Sequence, residues 1–232
     1  VMGVTYRNFK LYKADSLNSS TEAKLPFDFA EYDYRPTLDM LNGNMIIVNY
    51  DYKNSKRNMG DYSDMPIKNL GIIMSDEIYE VDFEKFDGKS VDICGEYFYS
   101  EIYDSEIDKE RLAFSKDGVY WEYTDLADIN YVMKVYEKND SVIIRYFKKT
   151  EKGSSAALAF IDKDSLYSQL ENNLSNTNTY VRLNDKILGF SQPPIMEDDR
   201  TLVPMRFLFE QMGAEVTWDE VTQSATATIN AS

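Results

Sequence analysis

Residues 111–123 read RLAFSKDGVYWEY. Apolar and aromatic side chains crowd 112–115 and 119–123, and the Lys116-Asp117-Gly118 between them has the chemistry of a tight turn. Glycine enters the left-handed region at no steric cost, and a short acidic side chain accepts neighbouring backbone N–H groups. The stretch predicts two strands joined by a hairpin. The same order of apolar strand, acidic turn and aromatic strand returns at 71–81 (GIIMSDEIYEV) and 156–167 (AALAFIDKDSLY). The turn acids Asp76, Asp117 and Asp164 lie 41 and 47 residues apart, which is the chain length of a four-stranded antiparallel meander.

Working outward, strands are expected at 45–52, 71–74, 78–83, 90–93, 97–103, 112–115, 119–123, 132–137, 141–147 and 157–161. Each is rich in Val, Ile, Tyr and Phe and bounded by Asn, Asp or Gly, with Asn139-Asp140 a further hairpin turn. The expected fold is mainly β and antiparallel, built as propeller-like blades or as a β-sandwich, with a small α+β module at the C-terminal end. Residues 38–167 account for about three meanders, and 1–37 for a looser fourth. At 164–174 (DSLYSQLENNL) the period changes to that of a short helix with Asp164 as its N-cap. The polar run 175–179 (SNTNT) then marks a boundary between a β-rich domain, 1–175, and a module, 176–232.

In the module, 180–183 and 186–190 flank an Asn184-Asp185 turn, and Pro193-Pro194 stops the second strand. A helix follows within 201–213, with Pro204 at its first position and Gly213 just past its end; 214–218 and 224–229 form a last hairpin. Arg206 and Glu210 stand at i, i+4 and form an exposed pair worth about 0.3–0.5 kcal/mol. Trp218 is placed to lead a strand and cover the helix.

Two resemblances follow from these residues. Ser115-Lys116-Asp117-Gly118-Val119-Tyr120-Trp121 resembles the Asp-box turn of sialidase-like propellers, Ser-x-Asp-(x)-Gly-x-x-Trp. That resemblance implies a structural device: Ser115 and Asp117 tie the hairpin through side-chain-to-backbone hydrogen bonds, Gly118 shapes it and Trp121 packs between sheets. Residues 180–229 resemble the copper amine oxidase N-terminal-like, or stalk, domain of secreted and surface proteins of Gram-positive bacteria. The matching features are Asn184-Asp185-Lys186, Pro193-Pro194, Arg200-Thr201-Leu202-Val203-Pro204-Met205-Arg206-Phe207, Glu210, Gly213-Ala214-Glu215-Val216 and Thr217-Trp218-Asp219. This resemblance implies a non-catalytic accessory unit, in which Pro204, Arg206, Gly213 and Trp218 are scaffold residues. Family members often carry two such repeats; this chain has one.

Composition removes several function classes. Among 232 residues, 25 Lys+Arg stand against 40 Asp+Glu for a net charge of −15, with no histidine and one cysteine, Cys94. No Ser-His-Asp or Cys-His set, no histidine-based zinc or copper site and no intrachain disulfide can form. So acidic a chain repels phosphate backbones and anionic lipids, so neither nucleic acid nor membrane insertion is expected. At 43% hydrophobic and 14% aromatic residues the chain has ample material for a core. No stretch approaches the roughly 18 apolar residues of a spanning helix. The opening at Val1, with a strand-like run under way, is read as a processed or trimmed product, and the lack of a leader says nothing of destination. One cysteine fits a reducing cytosol and equally a bacterial surface protein.

Several short strings tempt and fail. Asn49-Tyr50-Asp51-Tyr52 coincides with the core in which copper amine oxidases make their quinone, but that processing needs a copper held by three histidines. Gly88-Lys89-Ser90 lacks the upstream glycine of a phosphate loop, Phe83 standing there. Asp162-Lys163-Asp164 lacks the glycine and ligands of a calcium loop. The acidic run Asp104, Glu106, Asp108 and Glu110 is a weak calcium candidate, read first as a solvated charge run. No spacing selects a catalytic pair from the 40 acids, and the eight arginines are too scattered for sialidase-like chemistry. No catalytic residue and no cofactor is assigned.

The expected function is a non-catalytic scaffold or binder at a bacterial cell envelope, secreted or surface-held, with cell-wall glycan or another surface protein as partner. Aromatics at 97–103 or Trp121 are the candidates for stacking on sugar rings. A carboxylate-dependent glycan hydrolase on the β-rich domain is the alternative. Oligomerisation through an unfinished module is a third expectation.

Overall fold

The computed structural model describes residues 11–16, 19–26, 37–51, 66–74, 77–104, 107–124, 126, 129–174 and 179–229. Strands β1 (Leu11–Ser16) and β2 (Ser19–Ala23) form a two-stranded ribbon. A first meander follows, of β3 (Thr37–Leu41), β4 (Asn44–Tyr50), β5 (Ile67–Met74) and β6 (Glu77–Phe83). A second contains β7 (Gly88–Cys94), β8 (Tyr97–Asp104), β9 (Lys109–Ser115) and β10 (Glu122–Tyr123). The third has β11 (Ile129–Lys138), β12 (Ser141–Thr150) and β13 (Gly153–Asp162), and the chain then turns into helix α1 (Lys163–Leu174) with no fourth strand described in this sheet. The rest is β14 (Val181–Leu183), β15 (Lys186–Gly189), β16 (Ile195–Glu197), β17 (Arg200–Leu202), α2 (Met205–Gln211), β18 (Glu215–Asp219) and β19 (Ser224–Thr228). The chain is mainly β, its sheets are almost wholly antiparallel, and among the described residues no sheet closes on itself.

The second sheet is the centre of the molecule. Tyr97–Ile102 of β8 are all buried, so both faces of that strand are covered. On one side β7 touches β3 and β5, and β11 of the third sheet touches β7 and β9. Tyrosine hydroxyls pin the layers: Val91 N–H donates to Tyr50 Oη (3.5 Å) and Val135 N–H to Tyr99 Oη (3.2 Å). Ile46, Val48, Leu70, Phe98, Leu112, Phe114, Val142 and Ile144 fill the core, and Leu166, Leu170 and Leu174, one face of α1, close it. This spacing is why α1 is a helix: its apolar residues recur every four.

The turn after β9 is a hydrogen-bonded knot. Ser115 Oγ accepts from Gly118 N–H (2.8 Å) and Asp117 N–H (3.3 Å), and Asp117 Oδ1 accepts from Val119 N–H (2.8 Å) and Tyr120 N–H (3.1 Å). Gly118 has φ +81°, and a Cβ there would stand 2.8 Å from Ile46 Cγ2 of the first sheet. The other carboxylate oxygen, Oδ2, accepts from Tyr180 Oη (2.9 Å), whose ring stacks on Tyr120. Tyr120 Oη in turn donates to the Thr179 carbonyl (2.8 Å). Burial raises the Asp117 carboxyl's proton affinity, and these bonds pull against it.

The segment that Tyr180 anchors enters β14 and β15, and β15 adds to β6 in parallel, making the first sheet six-stranded in the order β14-β15-β6-β5-β4-β3. Lys186 reaches Glu80 (3.2 Å) and Asp82 (3.6 Å), and Asn69 links Glu80 (2.8 Å) to Asn49 (3.3 Å) across the sheet. The strand of 186–189 therefore sits in the sheet of the β-rich region, beyond the polar run expected to separate the two.

Several expectations are corrected. The strand placed at 119–123 shrinks to Glu122–Tyr123, because Asp117 claims the amides of Val119 and Tyr120. The third copy of the period ends in α1, so Asp164 makes no hairpin; Asp162, not Asp164, caps the helix by accepting from Ser165 N–H (2.8 Å). Asp76 lies outside the described residues. Pro204 precedes α2 as its N-cap, one residue earlier than expected. Trp218 stands fourth in β18 and is half exposed, while Ala214 and Val216 are buried beside α2. Strands β1, β2 and β3 and the β16–β17 hairpin are additions. The hairpin turns on Asp198-Asp199, both left-handed, as Asn184-Asp185 are.

Replacing Asp117 by Ala leaves two buried N–H groups and the Tyr180 hydroxyl without their acceptor. We expect a loss of about 3 kcal/mol in urea unfolding, with Asp117→Asn recovering part of it through Oδ1.

Candidate functional site

A groove of about 760 Å³ opens between the second sheet, α1 and the chain that follows β15. A second hollow of about 450 Å³ shares Trp121, Glu122, Phe190, Ser191 and Gln192 with it and extends it along α1. One wall is aromatic: Phe83 stacks on Phe86 (centroids 4.3 Å apart), and Phe86 meets Trp121 (5.1 Å). Two glycines seat these rings. A Cβ on Gly189 would lie 2.5 Å from Phe83 and one on Gly88 2.5 Å from Phe86. Trp121 is fixed by its own turn, its Nε1–H donating to the Gly118 carbonyl (3.1 Å), which turns the indole's polar edge inward.

The other lining is polar. Gln169 from α1 and Gln192 from the segment after β15 present side-chain amides, and Asn172 and Asn173 extend that row in the adjoining hollow. Four acids line the groove: Glu84, Asp87, Asp104 and Glu122. Three are held by neighbours. Glu84 accepts from Ser191 N–H (2.9 Å) and Oγ (2.7 Å), Asp104 pairs with Arg111 (2.9 Å), and Glu122 accepts from Asn173 (2.7 Å). The Arg111 guanidinium lies over the Tyr123 ring (4.7 Å). Lys85 and Arg111 against four carboxylates leave the lining acidic, a surface that repels anions.

Of the aromatics named from sequence, Trp121 and Tyr103 line the groove, whereas Tyr97 and Tyr99 are core. Ser115, Asp117 and Gly118 form the turn that carries Trp121. Pro204, Arg206, Gly213 and Trp218 lie apart from it, in the module. There Arg206 donates to the Val216 carbonyl (3.0 Å) and pairs with Glu210 (3.7 Å), Phe207 packs edge-on against Phe190 (5.6 Å), and Gly213 takes φ +85° past α2. Phe190 thus joins the module's core to the groove. Phe83, Phe86, Gln169 and Gln192 carried no signal in sequence, because nothing in their spacing says that they converge.

The acidic run is dispersed. Asp104 binds Arg111, Asp108 accepts from Tyr103 Oη (2.5 Å), Glu110 pairs with Lys89, and Glu106 lies outside the described residues. Among the described residues no three His, Cys, Asp or Glu side chains group as metal ligands. Tyr50 is a core residue, its hydroxyl bonded to Thr37 (3.2 Å). Cys94 is buried, and burial pushes its thiol up to about 11, away from nucleophilic use. No helix among the described residues is long and apolar enough to cross a membrane.

Comparison with known proteins adds one finding. Residues 182–232 match the family model described as the copper amine oxidase N-terminal domain, a non-catalytic domain family. No curated protein and no solved structure matches the chain.

A strongly perturbed carboxyl lies outside the groove. Glu101 is 3% exposed; it accepts from Val132 N–H (2.5 Å), tying β8 to β11, and pairs with Lys89 (3.3 Å), which also holds Glu110. Burial pushes Glu101 up to about 7 from its usual 4.5, against the pull of Val132 N–H and Lys89. The folded state therefore binds more protons than the unfolded chain between about pH 4.5 and 7. This contribution to stability is complete below 4.5 and is lost as pH rises through 7. Comparing urea unfolding of the wild type and Glu101→Gln, we expect the wild type to lose on the order of 2–3 kcal/mol relative to the variant from pH 4.5 to 8. A constant difference contradicts the assignment.

Proposed function

We propose that the chain is a non-catalytic scaffold and binding protein of a bacterial cell envelope, secreted or surface-held, whose groove beside Trp121 takes cell-wall glycan. The observation that carries the reading is the union of an aromatic wall, Phe83–Phe86–Trp121, with amides and carboxylates along one open groove. Sugar rings offer apolar faces of C–H groups and rims of hydroxyls, so a ring on the aromatic wall leaves its hydroxyls for Gln169, Gln192 and Asp87. An acidic lining suits a ligand without anionic charge. The match of 182–232 to a non-catalytic family supports an accessory role for the module.

The alternative, a carboxylate-dependent glycan hydrolase, has in its favour that four acids share the groove. Against it, Glu84, Asp104 and Glu122 already serve as hydrogen-bond or ion-pair partners of Ser191, Arg111 and Asn173. Such a hydrolase needs one carboxylic acid kept protonated beside a free carboxylate.

The chain has two tryptophans, Trp121 and Trp218, so Trp218→Phe leaves Trp121 as the sole reporter. Titrating that variant with soluble β-1,4-linked N-acetylhexosamine oligosaccharides, we expect a saturable change in indole emission. Trp121→Ala, followed by calorimetry, weakens binding about tenfold or more, roughly 1.4 kcal/mol, and Gln192→Ala weakens it less. Absence of binding by the wild type rejects the glycan reading. New reducing ends during incubation select the hydrolase.

A further inference from the structure

We propose that β13 is the seam of a homodimer, in which two copies pair their β13 strands antiparallel about a two-fold axis at Leu158 and form one six-stranded sheet. Natural sheets protect their edges by shortness, bulges or charge, and the other edges of the larger sheets show these devices. β10 has two residues and β14 three; β7 and β11 carry register shifts; β3 has Asp39 at its centre. β13 has none of them. It runs for ten residues in unbroken register with β12, contains no proline, and has no charged residue from Gly153 to Ile161. Among the described strands, β12 is the one sheet neighbour of β13. On its outer face Leu158 is 57% and Phe160 67% exposed.

The strand is complementary to itself. Its first half is small (Gly153, Ser154, Ser155, Ala156) and its second carries Leu158, Phe160 and Ile161. A two-fold through Leu158 sets Leu158 against the partner's Leu158 and Phe160 against the partner's Ala156, so large meets small on each side of the axis. The same register brings Lys152, just before the strand, diagonal to the partner's Asp162, a favourable cross-strand pair repeated by symmetry. Overall charge agrees. Residues 129–162 hold six basic and four acidic side chains, +2, which leaves −17 on the rest of a chain of −15. Seating two copies seam to seam joins their least acidic elements and holds the acidic bodies apart. This inference is independent of the groove.

Sedimentation of the full chain across a concentration series tests it. We expect a species of twice 26.9 kDa that dissociates on dilution and is abolished in Leu158→Lys, which sets two ammonium groups together at the axis. As a readout that does not depend on that variant folding, Leu158→Cys is expected to yield a disulfide-linked dimer under mild oxidation. Leu38→Cys, on the exposed part of β3, is expected not to; Cys94 is buried in both. A monomer at every concentration, a dimer untouched by Leu158→Lys, or equal cross-linking at Leu38 and Leu158 overturns the proposal.

Discussion

The carboxylate of Asp117 is the joint on which the arrangement turns. It is 5% exposed, and a buried carboxylate is tolerated only where its oxygens are occupied. One oxygen holds the turn that ends the second sheet's third strand; the other holds Tyr180, the residue that leads into β14 and β15. Gly118 beside it lies against Ile46, so the same turn also sets how closely the first and second sheets approach. Two sheets and the entry to the module thus share one side chain. Coupled bonds of this kind gain from one another in a low-dielectric interior and fail together when one is removed.

The groove inherits its shape from that joint. Trp121 hangs from the turn through the Gly118 carbonyl, Phe83 and Phe190 flank Gly189 at the end of the added strand, and Gln169 comes from α1. Four stretches of chain, distant in sequence, are held by a rigid frame instead of a long loop, which suits recognition with little ordering on binding. Three of the four acids in the lining also brace it, Glu84 by holding Ser191, Glu122 by holding Asn173 and Asp104 by holding Arg111.

Much of the fold was legible because its strands announce themselves locally. At 45–52, 97–103, 132–137 and 141–147 the β-formers are dense, and Asn, Asp and Gly mark the turns, many in the left-handed region. β3 was missed although Asn42-Gly43 follows it: TLDML is short, with an acid at its centre and no aromatic or β-branched run. The strand at 119–123 failed because the turn's side chains satisfy backbone amides that a ladder would otherwise use. The parallel union of β15 with β6 leaves no local mark at all, since the attraction of Lys186 for Glu80 and Asp82 exists only once the strands meet. The site was half legible. Trp121 came from a turn pattern, whereas Phe86, Gln169 and Gln192 belong together only in space.

That late union has a consequence for the order of events at synthesis. β6 is complete at Phe83, yet the strand that covers its edge ends at Gly189, 106 residues later. At translation rates of about 5–20 residues per second the edge waits uncovered for roughly 5–20 s. In that interval Glu80 and Asp82 on one face of the exposed strand, with Glu77 on the other, give it negative charge, which discourages another nascent chain from adding to it. The carboxylates that later bind Lys186 thus serve first as gatekeepers, and the lysine arrives to discharge them when the right strand comes.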